Sequence, residues 1–441
     1  MDRDLASRQE ARVLSDNAKV AQRQLELLDE RRIKEALEIV YCMIRQNIYS
    51  LVQLFVDESG YGNLQDESNI ELQLLDALYQ KLKDQKILGV HQTEVGIARG
   101  GVIFIPDRKN ALLGMICIIL LCIKSGNTLI IGTNARAEET TKKLVSLVIE
   151  ALHQKSYPLD VISCLKNVDD AGIEELLNYS SLKVVVNAGN QKLVPICRNS
   201  GKVFYYGSTG ASAVFIERSA KIEETVKEIV KSKGFNCGTL PGAEQFLIVD
   251  EPVAEKVIEN LQREGCYFMS AAEEKRLIQI LLQGREVDIE QIGKTAHALA
   301  KEAGFFVPEN TKLLVSYQEY MSEFDGYRKE IPCPVLIMYK ESDWLNACEK
   351  CIKLLTSEHD GHSLSIYSED EEIIYQFITK KPVGRVMVNT NTTFSAMGID
   401  GNITPSAILG AATRGIGSLS GNLEAKDLIY QRAIVRKDKN I

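Results

Sequence analysis

The stretch "GVIFIPDRKNALLGMICIILLCIKSGNTLIIG", residues 101–132, decides the fold. A short apolar run, Gly101 to Ile105, is followed by a break at Pro106, an unbroken apolar run from Ala111 to Ile123, and a second short run at Leu129 to Ile131. The middle run has 13 residues, too few to span a bilayer, which takes about 20. It reads as a helix buried on all sides, and the flanking runs as strands. Strand, helix and strand in so short a span form the unit that joins two parallel strands.

The alternation continues downstream. A helix is expected over 135–153, a strand at "DVISCL", a helix over 171–179, a strand at "LKVVVNAG" and a helix over 190–199. Parallel strands buried on both faces read as unbroken apolar runs, as "KVVV" and "TLII" do. Such a sheet takes ligands in the crevice beyond its carboxyl ends, where the strand order reverses. Those ends are 106–110, 132–134 and 187–190. After a helix over 221–233, "GFNCGTLPG" breaks the pattern. A second series then runs through "QFLIVD", helices 252–263 and 272–282, "KLLVSY", "PVLIMYK", helix 343–356, "SLSIYS", helix 370–379 and "RVMVN". The fold class is therefore α/β with two parallel-sheet domains. Upstream, one helical pattern runs from about Asp4 to Val56, with Leu25 and Leu28, then Ile33, Ala36 or Leu37, and Val40, at three- and four-residue steps. A second helix is expected near Ile70 to Lys83. The tail from Thr390 is rich in Gly, Ser and Thr.

Bulk properties narrow the function classes. The 441 residues suit two or three domains. Net charge is −8 with acids and bases interspersed, which argues against a nucleic-acid binder. Ten cysteines are read as dispersed core residues, and with five histidines no metal site is expected. The first residues, "MDRDLASRQEARVL", lack the apolar core of a secretory signal. Free thiols point to the cytoplasm, and no membrane segment is expected.

Several stretches resemble the aldehyde dehydrogenase superfamily, in its CoA-acylating branch. They are "VDESGYGNLQDE" (56–67), "LCIKSGNTLIIGTNARAEETT" (121–141), "VVVNAGNQKLVPICRNSGKVFYYGSTGASAVFIERSAKIEETVKEIVKSKGF" (184–235), "KEIPCPVLIMYKESDW" (329–344) and "ILGAATRGIGSLSGNLEAKDLI" (408–429). The resemblance implies N-terminal helices plus a Rossmann-like cofactor domain over 1–233 and a catalytic domain over 234–395. It implies that 396–441 returns to the cofactor domain as a small oligomerisation arm. It further implies oxidation of a small aldehyde through a cysteine thiohemiacetal, hydride transfer to NAD or NADP, and acyl transfer to coenzyme A. A homodimer or higher homo-oligomer is expected. Bacterial microcompartment association occurs among such relatives, but this N-terminus shows no clear tag.

The chemistry needs a thiolate, an oxyanion donor and a bound nicotinamide. In the family the nucleophile lies six residues after the Phe of "SK-x-F" and three before the Glu of "A-x-E-Q". Counted from Phe235 and from Glu244, both rules give Pro241. Cys237 lies four residues earlier, either as a relocated nucleophile or as a small buried hydrophobe. Asn110, seventeen residues before Asn127, matches the family's oxyanion donor, with one residue inserted in "IPDRKN"; it also stands where a helix N-cap would. Thr133, Asn134 and Arg136 match the adenosine-ribose loop. Ala188 and Gly189 replace the family's Gly pair at the pyrophosphate. Gly207 and Gly210 match the turn near the nicotinamide, and Glu330 matches the acceptor for its ribose hydroxyls. His362 matches a family turn in which Asp360 replaces a glycine, and is read as structural. Three functions stay open: an acylating dehydrogenase using Cys237, a pseudoenzyme that binds a partner, and a dinucleotide- or CoA-binding regulator.

Overall fold

The computed structural model describes residues 2–91, 94–132, 134–167, 169–207, 210–283, 286–321, 330–356, 362–411 and 416–436. The long helical pattern at the start is two helices, α1 (Arg3–Leu25) and α2 (Glu30–Ser59), followed by α3 (Leu64–Leu82). The apolar spacing lapses between Leu28 and Ile33: α1 ends at Leu25, and the next helix starts from Asp29. Its carboxylate accepts from Arg32 N at 2.9 Å and caps α2. By length and composition alone α2 could cross a membrane. Its apolar stripe, including Leu37, Ile44, Leu51 and Phe55, is instead fully buried in the first core with α4 and α5 residues, as in a core helix.

The first sheet has five parallel strands: β3 (Gly101–Ile105), β4 (Leu129–Ile131), β5 (Ile162–Cys164), β6 (Leu182–Asn187) and β7 (Val203–Tyr206). Their order is β5-β4-β3-β6-β7. They are preceded by β1 (Gly89–His91) and β2 (Glu94–Ala98). The connecting helices are α4 (Ala111–Ser125), α5 (Glu138–Gln154), α6 (Asp170–Asn178) and the short α7 (Val194–Asn199). Every residue of α4 is buried, as its unbroken apolar run requires. It ends on Gly126, at φ 67°, a left-handed cap that favours glycine.

The second sheet is also parallel. It consists of β8 (Ser212–Ile216), β9 (Glu244–Asp250), β10 (Cys266–Phe268), β11 (Leu313–Gln318), β12 (Val335–Glu341), β13 (Ser363–Tyr367) and β14 (Arg385–Val388). The order is β10-β11-β12-β9-β8-β13-β14. Its helices are α8 (Ile222–Gly234), α9 (Ala254–Arg263), α10 (Ala271–Leu281), α11 (Ala296–Glu302), α12 (Trp344–Leu355), α13 (Glu371–Lys380) and α14 (Thr393–Ala396). Because β8 pairs with β9 and β13, this sheet begins at Ser212, ahead of the boundary expected at 233. Val226 and Ile229 of α8 pack in one core with Leu247 and Leu336, so the 212–233 segment belongs to the second sheet.

The C-terminal segment turns back to the first core through Ile408, Leu423 and Leu428. Its last strand, β15 (Ile429–Ala433), pairs with β2 in a three-stranded antiparallel sheet with β1. The alternation pattern did not reveal these three strands.

Candidate active site

The order of the first sheet reverses between β3 and β6. The chain leaving β3 carries Asp107, Lys109 and Asn110, that leaving β6 carries Ala188, and that leaving β7 carries Gly207. Opposite stand the leading ends of the second sheet: Gly210 before β8, Pro241 before β9 and Glu330 before β12. These eight residues line one narrow cleft, at the place a doubly wound sheet keeps for its ligand. The space left between them is about 20 Å³, enough for about one water molecule.

Two polar contacts close the cleft. Lys109 Nζ lies 2.6 Å from Glu330 Oε1, with both side chains largely buried. Burial alone would pull the Lys109 ammonium down. The carboxylates of Glu330 and Asp107 more than offset this and hold it above its ordinary value. Asn110 stands at the N-cap place of α4, but its side chain makes no capping bond. Its Nδ2 donates instead to the Thr239 carbonyl at 3.1 Å, with Asp107 Oδ2 at 3.4 Å, and its Oδ1 has no partner.

The loop before Pro241 is unusual. Asn236, Cys237 and Gly238 are all left-handed, with φ of 47°, 55° and 72°. For Cys237 that conformation costs about 1–2 kcal/mol, and the loop is held to α3 by several bonds. Asn236 N donates to Asp66 Oδ2 at 2.8 Å, its Nδ2 donates to Glu67 Oε2, and its Oδ1 accepts from Asn63 N at 2.9 Å. Cys237 lines a separate cavity of about 610 Å³ with Asp66, Phe235 and Pro334, which shares no lining residue with the cleft. Burial pushes the Cys237 thiol up to about 11, and Asp66 adds to this. Cys237, expected to pair with Asn110, thus lines a different cavity from the one Asn110 lines.

Other expected residues divide. Ala188, Gly207, Gly210 and Glu330 meet at the cleft. Gly189, at φ 117°, follows Ala188, and its N–H is bound by Asn187 Oδ1 at 3.1 Å. Asn134 donates to the carbonyls of Asp107 and Arg108, both at 3.1 Å, and so anchors the β3 loop. Arg136 is held by Glu290 and by the Ser59 carbonyl, with the Tyr61 ring 5.6 Å away. Thr133 and Asp360 lie outside the described residues. The donors of Asn134 and the guanidinium of Arg136 are thus engaged within the chain. Glu330 is paired with Lys109, so of the expected cofactor residues Ala188, Gly207 and Gly210 line the cleft without a side-chain partner of their own.

Two residues at this place were not among the expected ones: Lys109 and Thr239. The inserted residue in "IPDRKN" was the signal for Lys109. The His362 ring is fully buried against Gly210, where an added Cβ would meet its Nε2 at 2.3 Å. Its Nδ1 is 2.6 Å from Ser363 Oγ and its Nε2 has no partner. Burial, then Arg385 and Lys109, hold the imidazole neutral.

No protein-family model matches the chain. Among solved structures, an acetylating aldehyde dehydrogenase from Geobacillus thermoglucosidasius is 30% identical, with 99% of each chain covered and a TM-score of 0.95. The chain belongs to the acylating aldehyde dehydrogenase family. The bifunctional aldehyde-alcohol dehydrogenase AdhE of Escherichia coli K12 is 25% identical over 98% of this chain, which spans 50% of that protein's length. A propionaldehyde dehydrogenase of Rhodopseudomonas palustris, with bound CoA and an acylated cysteine, is 18% identical with a TM-score of 0.86 over 96% of this chain and 97% of that one. That likeness concerns the fold. The family consists of oxidoreductases that oxidise aldehydes with CoA, and this aldehyde dehydrogenase homologue keeps their α/β frame along its whole length.

Proposed function

We propose that this chain is an aldehyde dehydrogenase homologue that has lost thioester chemistry and serves as a binding or hetero-oligomer partner, a pseudoenzyme. One observation carries the reading: Pro241 borders the cleft with Asn110 and Glu330, while Cys237 borders a different cavity. Proline has neither a thiol nor a backbone N–H. Covalent aldehyde oxidation forms a thiohemiacetal and then a thioester; with no sulfur at the carbonyl there is no acyl group to pass to CoA. Removing a nucleophile from a triad enzyme costs about 10⁶ in rate, far more than any remaining positioning could offset. The engaged Asn110 and the Lys109–Glu330 pair support the same conclusion.

The second reading is an NAD(P)-dependent acylating oxidation of a small aldehyde. It is favoured by the convergence of Asn110, Glu330 and Gly210 on one point, with the unpartnered His362 Nε2 behind it. Under either reading we place the protein in the cytoplasm, with assembly into homo- or hetero-oligomers through the β1–β2–β15 sheet. The deciding assay follows NADH or NADPH formation with short aldehydes and CoA, in wild type and in Cys237→Ala. The pseudoenzyme reading expects no aldehyde-dependent signal. Turnover abolished by Cys237→Ala would establish the second reading in its place.

A further inference from the structure

Cys348 and Cys351 stand one turn apart on α12, in a C-x-x-C spacing that the reading of ten dispersed cysteines passed over. Cys348 is 6% exposed, and Cys351 is fully buried in the core of the second sheet. Lys381, the C-cap residue of α13, reaches into the same place. Its Nζ lies 2.5 Å from Cys348 Sγ, 3.3 Å from the Cys348 carbonyl oxygen and 3.8 Å from the centroid of the Phe377 ring.

A buried ammonium needs an anionic partner or several strong acceptors. Lys381 is only 8% exposed, and among the described residues no carboxylate pairs with it. Glu341, an acid that acts on Cys351, is bound to Lys350. Among the described residues the partners of Lys381 are one carbonyl, one aromatic face and the sulfur of Cys348. Cysteines beside a cation are the ones that react with electrophiles and oxidants. In an α-helix, residues three apart have Cα atoms about 5 Å from each other, within the range of about 4.4–6.8 Å that a disulfide spans.

We propose that Cys348 and Cys351 are a peroxide-sensitive dithiol, with Lys381 as the residue that positions and activates the Cys348 sulfur. Cys348 attacks hydrogen peroxide. An S–O bond forms, the O–O bond breaks, and one water leaves; the sulfur is oxidised to the sulfenic acid as the peroxide is reduced. The Cys351 sulfur then displaces the hydroxyl, an S–S bond forms, and a second water leaves with the remaining proton. In total, two thiols and one peroxide give one disulfide and two waters. Burial pushes the Cys351 thiol up to about 12, with Lys381 working against the shift, which suits a resolving thiol rather than the first to react. Closing the bridge distorts a turn of α12, and α12 packs against β8 and β9, whose leading ends carry Gly210 and Pro241. The inference does not depend on the loss of thioester chemistry.

The test treats the full chain with hydrogen peroxide, alkylates the remaining thiols and maps the peptides by mass spectrometry. A Cys348–Cys351 disulfide is expected before any change at Cys117 or Cys122. In Cys351→Ser, dimedone should label Cys348. The rate at Cys348 should fall about tenfold in Lys381→Met and recover in Lys381→Arg. Oxidation of Cys348 no faster than that of Cys117 overturns the proposal, even if the variants fail to fold. A Lys381–Cys348 cross-link in place of the disulfide, or an unchanged rate in Lys381→Met, overturns it as well.

Discussion

Asn110 Nδ2 lies 3.1 Å from the carbonyl oxygen of Thr239. The residue expected to polarise an aldehyde is bonded to the loop that would carry the nucleophile. Thr239 is held in turn by Asn236, whose Nδ2 is 3.0 Å from Thr239 Oγ1, and Asn236 is held by α3. The cleft is thus closed by a chain of bonds that starts outside it.

Replacing the proline tests where position 241 points. Pro241→Cys should place in the narrow cleft a thiol that iodoacetamide alkylates more slowly than Cys237 beside its larger cavity, as peptide mapping would show. Equal rates at the two positions would contradict the assignment of Pro241 to the cleft and of Cys237 to a separate cavity.

The left-handed run makes Gly238 hard to replace. At φ 72° a side chain is strained, and a Cβ would sit 2.6 Å from the Cys333 carbonyl oxygen. Gly238→Ala should therefore cost more than about 2 kcal/mol in urea unfolding, the left-handed term being about 1–2 kcal/mol alone. A loss below about 0.5 kcal/mol would mean that the turn is not formed as described.

Glu67 gives a pH dependence of definite sign. Burial holds its carboxyl up at about 7, against 4.5 for the free group, while the Asn236 bond acts against the shift. The folded chain therefore holds this proton more tightly than the unfolded chain. Its contribution to stability is complete below pH 4.5 and is lost as pH rises through 7. Glu67→Gln keeps the acceptor for Asn236 and removes the titration. The variant should gain on the wild type between pH 4.5 and 7, by up to about 3 kcal/mol. Parallel stability curves across that range would refute the assignment.

The cleft ion pair should behave as a unit. Lys109→Met or Glu330→Gln alone leaves one buried charge without its partner, a loss of about 3–5 kcal/mol. The double variant should recover most of that loss, as thermal unfolding would show. Additive losses would mean that the two groups do not depend on each other.

The fold was legible in the sequence because parallel strands buried on both faces leave unbroken apolar runs, and "GVIFI", "KVVV" and "FLIV" sit in β3, β6 and β9. The split between α1 and α2 was hidden because Leu25 and Leu28 before it and Ile33, Leu37 and Val40 after it keep helical spacing, and only the five-residue step from Leu28 to Ile33 marks it. The strands β1, β2 and β15 were missed because they lie near the surface and need no apolar run. At the site, the family resemblance pointed to Asn110, Ala188, Gly207, Gly210, Pro241 and Glu330, which line one cleft. It could not reveal the left-handed run at Cys237, which depends on three backbone angles, nor the pairing of Lys109 with Glu330, which are 221 positions apart.

Incubation of the pure chain with an acyl-CoA, followed by intact-mass analysis and peptide mapping, asks whether any of its cysteines can accept an acyl group. It runs the acyl-transfer step in reverse and needs no nicotinamide. With proline at the cleft, the mass stays unchanged. An acyl group on Cys237, or on any other cysteine, would overturn the loss of thioester chemistry.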